Sequence, residues 1–405
     1  MTVSSVVVIG AGIAGFSAVT ELRRLGHSGP VTIVDSEPGS YDRPPLSKRL
    51  FEDDFTLDSV AFATGERFAE LAVDTKFNTA VRSVDPATRT VALDDGSTLE
   101  ADAVVIATGG TARTLPIPGA DLEEVSVLRT YEDAEQLRGR ITEGRRVAVV
   151  GAGLIGAELA SSFLEVGADV TLIDPVEVPL VPAVGELLAT AVHAMHGGRG
   201  IRVVTGLTES FTAVEDGIRV DVRDHEPVTV DHVVVGVGMV PDTSLAEQAG
   251  VDCDDGILVD DNFATSVPGI YAAGDVARHR TSDGQLARRA EHWEAAQFAG
   301  QAVAHAILGL EVPVQGAGWF WSDRHGHHLE AVGRLSGDGE VVVREGGEYP
   351  TVFLVDDGVL VGAAAVDEPK TIRAARGLID KGIPVTVGEL SDPSVQLRKL
   401  LKVKK

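Results

Sequence analysis

The chain has 405 residues, of which 44% are hydrophobic and 24% charged, and its formal net charge at pH 7 is -26. That length predicts more than one domain, and the acidic balance argues against nucleic acid and anionic membranes as partners, because their phosphates favour Lys and Arg. The one cysteine, Cys253, excludes an internal disulfide. No apolar run is long enough to span a bilayer, and no basic region precedes the apolar stretch Val6 to Ile9, as it would in a signal peptide. A cytoplasmic location is therefore expected.

The N-terminal segment has the pattern of a strand, a glycine turn, a helix and a second strand that ends in an acid. The helix is predicted from Ile13 to Leu25, and the glycines and the acid are Gly10, Gly12, Gly15 and Asp35. Glycine has no Cβ, so the backbone of such a turn can approach a pyrophosphate, which then lies at the positive end of the helix. An acid about 20 residues further on can accept a hydrogen bond from a ribose hydroxyl.

The same pattern, which we call a fingerprint, returns in mid-chain. Its helix is predicted from Leu154 to Val166, and its glycines and acid are Gly151, Gly153, Gly156 and Asp174. One glycine motif alone is a weak signal, but two copies in full strand–turn–helix–strand context indicate two bound dinucleotides. Two dinucleotides in one chain suggest electron transfer between them.

Two further strands end in small residues, which lets backbone pass close to a ligand. The first ends at Ala107, Thr108 and Gly109, and the second ends at Gly274 and Asp275. Asp275 is a candidate to bind a ribityl hydroxyl, and a structural turn is the alternative for each of these two strand ends. A long helix is predicted from Arg288 to Leu308, the tail from Trp319 reads as a small α+β domain, and the basic run Lys399 to Lys405 reads as a solvated extension.

These elements predict an α/β protein with two Rossmann-like dinucleotide-binding domains and a small C-terminal α+β domain. Pro-rich crossings near 111–119 and Pro241, and a Gly- and Pro-rich stretch at 313–318, set the predicted boundaries. The first domain is discontinuous, at 1–112 and 241–318, the second spans 113–240, and the third spans 319–405.

Longer segments carry a resemblance to a known family. They are YDRPPLSK (41–48), ATGGTAR (107–113), LRT (128–130), GAGLIGAELA, GVGMVPDT, GDVAR, EHW (291–293) and WFWSD (319–323). With them the chain resembles, over nearly its whole length, the FAD-dependent NAD(P)H:ferredoxin reductases of oxygenase systems, the putidaredoxin-reductase type. The resemblance implies a glutathione-reductase-like flavoprotein with FAD in the first fingerprint and the nicotinamide cofactor in the second.

The resemblance also implies residue roles. The FAD positions are Gly10, Gly12, Ala14, Gly15, Asp35, Arg43, Lys48, Val81, Ala107, Thr108, Gly109, Arg129, Gly274, Asp275, Trp293 and Trp321. The nicotinamide-cofactor positions are Gly151, Gly153, Ile155, Gly156, Glu158, Asp174 and Gly238.

Three of these residues are expected to be catalytic: Lys48, Glu158 and Trp321. Glu158 follows the third glycine of the second fingerprint by two residues, and a lysine that meets it beside the flavin stabilises developing charge and positions the nicotinamide. The alternative for this pair is an ordinary interdomain salt bridge. The alternative for Trp321 is an aromatic residue of the core.

The cofactor is expected to be NADH, because no Lys or Arg follows Asp174 through Val181 to receive a 2′-phosphate, and Asp174 and Glu177 would repel it. The segment 40–48 contains no cysteine, unlike disulfide and peroxide reductases on this fold, and Cys253 reads as a buried small hydrophobe. No metal site is expected. We interpret His325, His327 and His328 as a contact at the rim of the site and not as a set of metal ligands.

The expected activity is transfer of electrons from NADH through FAD to a [2Fe–2S] ferredoxin that serves a Rieske ring-hydroxylating dioxygenase or a cytochrome P450. Small ferredoxins are usually acidic, so docking needs local cations. The candidates are Arg278, His279, Arg280, Arg288, Arg289, Arg324 and His325, and the alternative is that they are scattered surface cations. Arg324 and His325 stand where the family usually has Gln and an aromatic residue. The alternatives are an NADH oxidase or diaphorase, and a redox-sensing flavoprotein of the apoptosis-inducing-factor type.

Overall fold

A computed structural model gives the fold and describes residues 3–281 and 283–402. The last part of the predicted basic extension, 403–405, lies outside the described residues. No helix within the described ranges is both long enough and apolar enough to cross a membrane.

The strands are short and follow one another in chain order as β1 (Val6–Ile9), β2 (Val31–Val34), β3 (Asp74–Lys76), β4 (Val81–Val84), β5 (Thr90–Leu93), β6 (Thr98–Glu100), β7 (Ala103–Ile106), β8 (Gly110–Ala112), β9 (Val125–Val127), β10 (Arg146–Val150), β11 (Asp169–Asp174), β12 (Arg202–Thr205), β13 (Thr208–Val214), β14 (Gly217–Val222), β15 (Val228–Val230), β16 (His232–Val235), β17 (Met239–Pro241), β18 (Ile257–Val259), β19 (Ile270–Ala272), β20 (Ala277–His279), β21 (Trp319–Arg324), β22 (His327–Gly333), β23 (Glu340–Arg344), β24 (Thr351–Asp356) and β25 (Val359–Val366).

The helices are α1 (Ile13–Arg24), α2 (Pro45–Lys48), α3 (Leu57–Val60), α4 (Gly65–Glu70), α5 (Tyr131–Arg140), α6 (Leu154–Glu165), α7 (Val181–Val184), α8 (Glu186–Gly198), α9 (Ser244–Gln248), α10 (Trp293–Ile307), α11 (Pro369–Asp380), α12 (Val387–Ser391) and α13 (Leu397–Leu400), with a 3₁₀ turn at Gly274–Val276.

The described chain forms two compact units. Unit 1 comprises Met1–Arg43, Asp53–Thr111 and Met239–Gln315. Its parallel sheet has the strand order β19-β7-β1-β2-β3, and every residue of β1 is buried, as expected of a strand covered on both faces. An antiparallel sheet, β4-β5-β6, accompanies it.

Unit 2 comprises Pro44–Glu52, Ala112–Gly238 and Gly316–Lys405. It repeats the parallel architecture in the order β12-β11-β10-β16-β9 and adds the antiparallel sheet β13-β14-β15. A third sheet, β21-β22-β25-β24-β23, is antiparallel and belongs to the C-terminal part. One face of that sheet packs on the core of α11, and residues of α7 and α8 pack on the other.

The predicted α/β class is confirmed, with its two Rossmann-like sheets and its C-terminal α+β part. The predicted helix from Arg288 to Leu308 is wrong in its first five residues: α10 begins at Trp293, because His292 is extended (φ -125°, ψ 143°) and only caps the helix. The three-domain division stays a prediction, and segment 44–52, which it assigns to the first domain, lies in unit 2.

Candidate active site

In unit 1 the first glycine turn joins β1 to α1 under tight steric limits. Gly10 has φ +105°, and a Cβ there would lie 2.2 Å from the carbonyl oxygen of Ala107. A Cβ on Gly15 would lie 1.9 Å from the carbonyl oxygen of Gly10. A Cβ on Gly12, by contrast, would meet no protein atom within 4 Å. The turn is therefore closed toward the protein and open on the side where a pyrophosphate would approach.

The acid of the first fingerprint holds this turn in place. The N–H of Ala11 donates to Oδ2 of Asp35 at 2.6 Å, and the N–H of Glu37 donates to Oδ1 at 2.9 Å. Burial raises the pKa of Asp35. Sequence reasoning missed Glu37, whose carboxylate pairs with Arg43 at 2.8 Å and accepts a hydrogen bond from the Tyr41 hydroxyl.

The other predicted FAD residues of unit 1 lie at strand ends and on the helices beside the turn. Gly274 has φ +81°, and its Cβ would lie 2.8 Å from that of Ala14 on α1. The Thr108 hydroxyl donates to the carbonyl of Asp242 at 2.8 Å, and the Trp293 indole at the start of α10 donates to Asp42 at 2.7 Å. Gly109 has φ +63°, Asp275 lies in the 3₁₀ turn, and Val81 packs against the core of unit 1.

The second glycine turn, in unit 2, has the same construction. Gly151 has φ +103° with its Cβ position 2.4 Å from the carbonyl oxygen of Gly236, and a Cβ on Gly156 would lie 1.9 Å from the carbonyl oxygen of Gly151. Gly153 and Gly238 are open, with no atom within 4 Å of a Cβ.

The acid of the second fingerprint also binds backbone. Asp174 accepts from the N–H of Ala152 at 2.7 Å and from that of Val176 at 2.8 Å. Ile155 and Val176 are 43% and 55% exposed, so apolar side chains flank this turn.

Glu158 lies at the centre of a polar cluster inside unit 2. It is only 4% exposed, and it pairs with Lys48. The hydroxyls of Ser47 and Ser322 donate to it at 2.5 Å and 2.7 Å, and the N–H of Asp323 donates at 3.3 Å. The structure thus brings the predicted Lys48 and Glu158 together, in one unit.

Two tryptophans accompany Lys48. The ammonium of Lys48 is 6.0 Å from the ring centroid of Trp321. Trp321 stacks on Trp319, with centroids 4.9 Å apart and planes inclined by 21°. Arg129 also lies in unit 2, where its N–H donates to Asp133 at 2.9 Å.

Arg324 is not a surface cation, and its assignment to a docking site is wrong. It is 3% exposed, because strand alternation places it on the same side of β21 as the buried Ser322. It donates to the Ser322 hydroxyl at 2.8 Å, and its Nε has no hydrogen-bond partner. Burial lowers the pKa of Arg324 to about 10, so it stays charged at neutral pH beside Glu158 and Asp323.

His325 is also buried, at 7% exposure, and so cannot serve docking either. Its ring bonds to that of His196 at 2.9 Å, and burial lowers the pKa values to about 4 and about 3. On the neighbouring strands, His328 of β22 pairs with Asp323 of β21, a hydrogen bond that raises the pKa of His328. In the described ranges no three His, Cys, Asp or Glu side chains are grouped to hold a metal ion.

The remaining docking candidates differ in how much charge they present. The Arg289 side chain is 6% exposed and pairs with Asp255 and Glu291, and Arg278 pairs with Asp254. Arg280 and Arg288 are exposed. Cys253 is half-buried, and burial raises its thiol pKa to about 11, which suits a protonated packing residue.

Comparison with known proteins decides the family. A model described as pyridine nucleotide-disulphide oxidoreductase matches residues 4–300, and one described as reductase C-terminal matches 319–401. The chain belongs to the pyridine nucleotide-disulphide oxidoreductase family. Members of this family use FAD and NAD(H), and both glycine turns fit a dinucleotide, since each is open where the ligand would lie and closed elsewhere.

Family members of known sequence match from end to end. The ferredoxin–NAD(+) reductase subunit of a benzene 1,2-dioxygenase system from Pseudomonas putida is 34% identical, covering 98% of this chain and 97% of its own. Rhodocoxin reductase from Rhodococcus erythropolis is 31% identical, over 97% and 93%.

Solved family structures agree. Putidaredoxin reductase, in its covalent complex with putidaredoxin, superposes with a TM-score of 0.92 at 28% identity over 99% of both chains. The ferredoxin reductase for the CYP199A2 system from Rhodopseudomonas palustris also has a TM-score of 0.92, at 30% identity, over 98% and 99%.

Proposed function

We propose that this chain is an NADH-dependent ferredoxin reductase that passes electrons from NADH through FAD to a [2Fe–2S] ferredoxin of an oxygenase system, a Rieske dioxygenase or a cytochrome P450. The observation that carries the proposal is the presence of two dinucleotide turns of one construction in a chain that matches ferredoxin reductases from end to end. We assign FAD to the turn of unit 1 and NADH to the turn of unit 2, within the three-domain division predicted above.

When bound, FAD accepts two electrons as hydride and releases them singly, so one NADH reduces two ferredoxins and yields NAD⁺ and one proton. The chain's own part is binding and electrostatics. The backbone of each glycine turn and the helix that follows hold a pyrophosphate, while Asp35 and Asp174 fix the turns through their backbone hydrogen bonds.

Lys48, Glu158 and Trp321 are the proposed catalytic residues. Lys48 supplies a positive charge whose position is fixed by Glu158 and Asp323. Ser47 and Ser322 hold Glu158 in turn, so the geometry of the pair does not depend on a single contact. A preorganised charge of this kind stabilises charge that develops during hydride transfer. Trp321 lies within reach of Lys48 and is proposed to cover the flavin edge.

A turnover assay tests the function. The purified holoenzyme with NADH should reduce cytochrome c rapidly only when a [2Fe–2S] ferredoxin from a panel is added. Fast turnover with oxygen or quinone and none with any ferredoxin would instead identify an oxidase or a diaphorase.

The choice of NADH is tested separately. Glu177, exposed beside Asp174, and the lack of Lys and Arg from 175 to 181 predict a much lower kcat/KM with NADPH than with NADH. A kcat/KM with NADPH equal to or above that with NADH would overturn the assignment.

For the ferredoxin, we propose contact near Arg278 and Arg288, with Arg280. Because Arg278 and Arg289 are compensated by acids, Arg280 and Arg288 supply most of the uncompensated charge of this loop. Reversal of Arg288 to Glu should raise the KM for ferredoxin and leave ferricyanide reduction unchanged.

A further inference from the structure

Arg324 is a buried cation that the function proposed above does not use. It is 3% exposed, and burial lowers its pKa only to about 10, so the guanidinium is charged at neutral pH. It donates to the neutral hydroxyl of Ser322 at 2.8 Å. Among residues 3–281 and 283–402, no carboxylate forms an ion pair with it, and its Nε has no hydrogen-bond partner. A charge buried in this way costs free energy that one neutral hydroxyl does not offset.

Arg289 shows how the same chain buries another guanidinium. Its side chain is also buried, and carboxylate oxygens of Asp255 and Glu291 lie 3.3 Å and 2.8 Å from its nitrogens. Ion pairs of this kind offset much of the cost of burial. Because Arg324 is buried without such a pair, stability does not explain its position, and an electrostatic role in the nearby site does.

The end of β21 is fixed on α6, and this contact brings Arg324 close to Glu158. Glu158 and Ser161 are three residues apart and therefore lie on one face of α6. The N–H of His325, which follows β21, donates to the Ser161 hydroxyl at 2.7 Å. Ser322 lies on the same side of β21 as Arg324, and its hydroxyl reaches Glu158 at 2.7 Å.

The hydroxyl of Ser322 has one possible orientation in this chain of contacts. A guanidinium has donors only, so Ser322 must accept from Arg324, and its single proton is then left for Glu158. Glu158 pairs with Lys48 through the same carboxylate oxygen, Oε1. Lys48 therefore acts on this carboxylate directly, and Arg324 acts on it through a hydroxyl.

Two cations therefore share one buried carboxylate. Lys48 is largely buried and Glu158 is buried, so with Arg324 they form a group of two positive charges and one negative charge. Asp323 lies 3.6 Å from Lys48, but it is partly exposed and pairs with the partly exposed His328, where water screens both. Without Arg324, the charges of the buried group would cancel.

The histidines around Arg324 do not alter this balance at neutral pH. Burial lowers the pKa of His325 to about 4 and that of His196 to about 3. Burial also lowers the pKa of His193, which faces Arg324 from α8. These side chains are therefore largely uncharged at pH 7, and the positive charge of the group comes from Lys48 and Arg324.

We propose that Arg324 raises the reduction potential of the bound FAD. It is a positioning residue, which acts through Ser322 on Glu158 and so leaves the charge of Lys48 uncompensated. The inference rests on the proposed function, in which Lys48 stabilises charge that develops during hydride transfer. One hydrogen and two electrons pass from NADH to FAD, so NAD⁺ gains a positive charge and FAD a negative one, which a net positive group stabilises.

The size of the effect follows from Coulomb's law. Unit charges about 10 Å apart, in an effective dielectric of about 20, change an equilibrium constant by roughly tenfold. For a two-electron couple, a tenfold change corresponds to about 30 mV in midpoint potential.

A redox titration of the FAD-loaded full chain tests the proposal. The test variant Arg324→Gln keeps an N–H donor for Ser322 and loses the charge, and Arg324→Met loses both. The matched control, Arg202→Gln, removes an exposed cation of unit 2. The midpoint potential of FAD is measured at pH 7 by slow chemical reduction in the presence of a reference dye. Urea denaturation of the same proteins gives the free energy of unfolding.

We expect Arg324→Gln and Arg324→Met each to lower the midpoint potential by about 30 mV, and Arg202→Gln to leave it unchanged. The free energy of unfolding of Arg324→Gln should equal or exceed that of the wild type, because an unpaired buried charge is removed. A residue that only holds the fold together would lower that free energy and leave the potential unchanged.

The proposal is overturned if Arg324→Gln has the wild-type potential or if Arg202→Gln lowers the potential equally. It is also overturned if only Arg324→Met lowers the potential, since the effect would then belong to the hydrogen bond and not to the charge. The titration needs neither NADH nor ferredoxin, so its outcome is separate from the proposed function. A wild-type protein that holds FAD but passes no electrons from NADH to any ferredoxin refutes that function instead.

Discussion

The ammonium of Lys48 lies between the carboxylates of Glu158 and Asp323. Without it, Glu158 still accepts from two serine hydroxyls, so the fold around it should survive. We expect Lys48→Ala to slow flavin reduction by NADH about 100-fold in single-turnover stopped flow, since it removes the fixed charge that we propose to stabilise charge developing during hydride transfer. The ratio of FAD to protein should not change.

The control for this experiment is Lys76→Ala, a lysine of unit 1 outside the polar cluster, which should leave the rate unchanged. Wild-type single-turnover reduction in Lys48→Ala would show that the pair is a structural salt bridge.

Ser322 links the buried Arg324 to Glu158, donating to the carboxylate and accepting from the guanidinium. Ser322→Ala leaves that guanidinium buried without this acceptor, which should lower the free energy of unfolding by about 2 kcal/mol. In Ser322→Ala/Arg324→Gln the unpaired charge is gone, so the second substitution should recover part of the loss. Urea denaturation of the four proteins of this cycle measures the coupling, and strictly additive losses would contradict it.

Arg324 shows what sequence reasoning at the residue level missed. It was grouped with surface cations because it follows a recognisable motif, yet the period-2 alternation of WFWSDR already places it with Ser322, opposite Trp319 and Trp321. Lys48 and Glu158, 110 residues apart in sequence, were expected to meet across two domains; they do meet, but both lie in unit 2. Nothing in the local sequence pattern indicates a contact between residues so far apart in the chain.

At the scale of elements, most of the correct predictions came from the spacing of apolar residues and the positions of glycines. α1 and α6 both end just before glycines in the left-handed region, Gly26 at φ +87° and Gly167 at φ +83°. The start of α10 was missed, because residues 288–292 contain no proline or glycine to mark the extended backbone before it. The placement of 44–52 in unit 2 depends on tertiary contacts, such as the Ser162 hydroxyl bonded to the carbonyl of Ser47 at 2.7 Å.

The contact between α1 and α10 depends on a glycine. A Cβ on Gly300 would lie 2.1 Å from the carbonyl oxygen of Ala14, so Gly300→Ala must push α10 away from α1. Overpacking of this kind costs about 1–3 kcal/mol. Ala14 and Trp293, two proposed FAD contacts, are on these two helices, so we also expect FAD to dissociate more readily. The A450/A280 ratio after gel filtration measures the FAD that is retained, and Tm measures the loss of stability.

A matched control is Gly139→Ala, in the last turn of α5, where a Cβ meets no atom within 4 Å. It should leave FAD retention unchanged and should not lower stability, as alanine favours the helix. Equal effects of the two substitutions would contradict the steric argument.

For the whole molecule, charge is distributed asymmetrically: residues 369–405 contain nine Lys and Arg against three Asp and Glu, and the rest of the chain is acidic. Its net charge of -26 gives electrostatic self-repulsion and favours solubility, but a second feature sets its response to acid. Three fully or nearly buried histidines lie in unit 2, His196, His232 and His325, with exposures of 0%, 2% and 7%. At neutral pH each is uncharged in the folded state.

These histidines predict the pH dependence of stability. Burial lowers the pKa of His196 to about 3 and those of His232 and His325 to about 4, below the ordinary 6.5. Between pH 6.5 and about 4 the unfolded chain therefore binds more protons than the folded one, so this contribution is complete above pH 6.5 and is lost as the pH falls. With three such groups, the free energy of unfolding should fall by up to about 5 kcal/mol from pH 7 to pH 5.

Urea midpoints at pH 7, 6 and 5 measure this fall. His232→Asn should reduce the dependence of the midpoint on pH, and His225→Gln, at an exposed position, should not. Equal midpoints at pH 7 and pH 5 would show that the unfolded chain gains no protons over the folded one in this range.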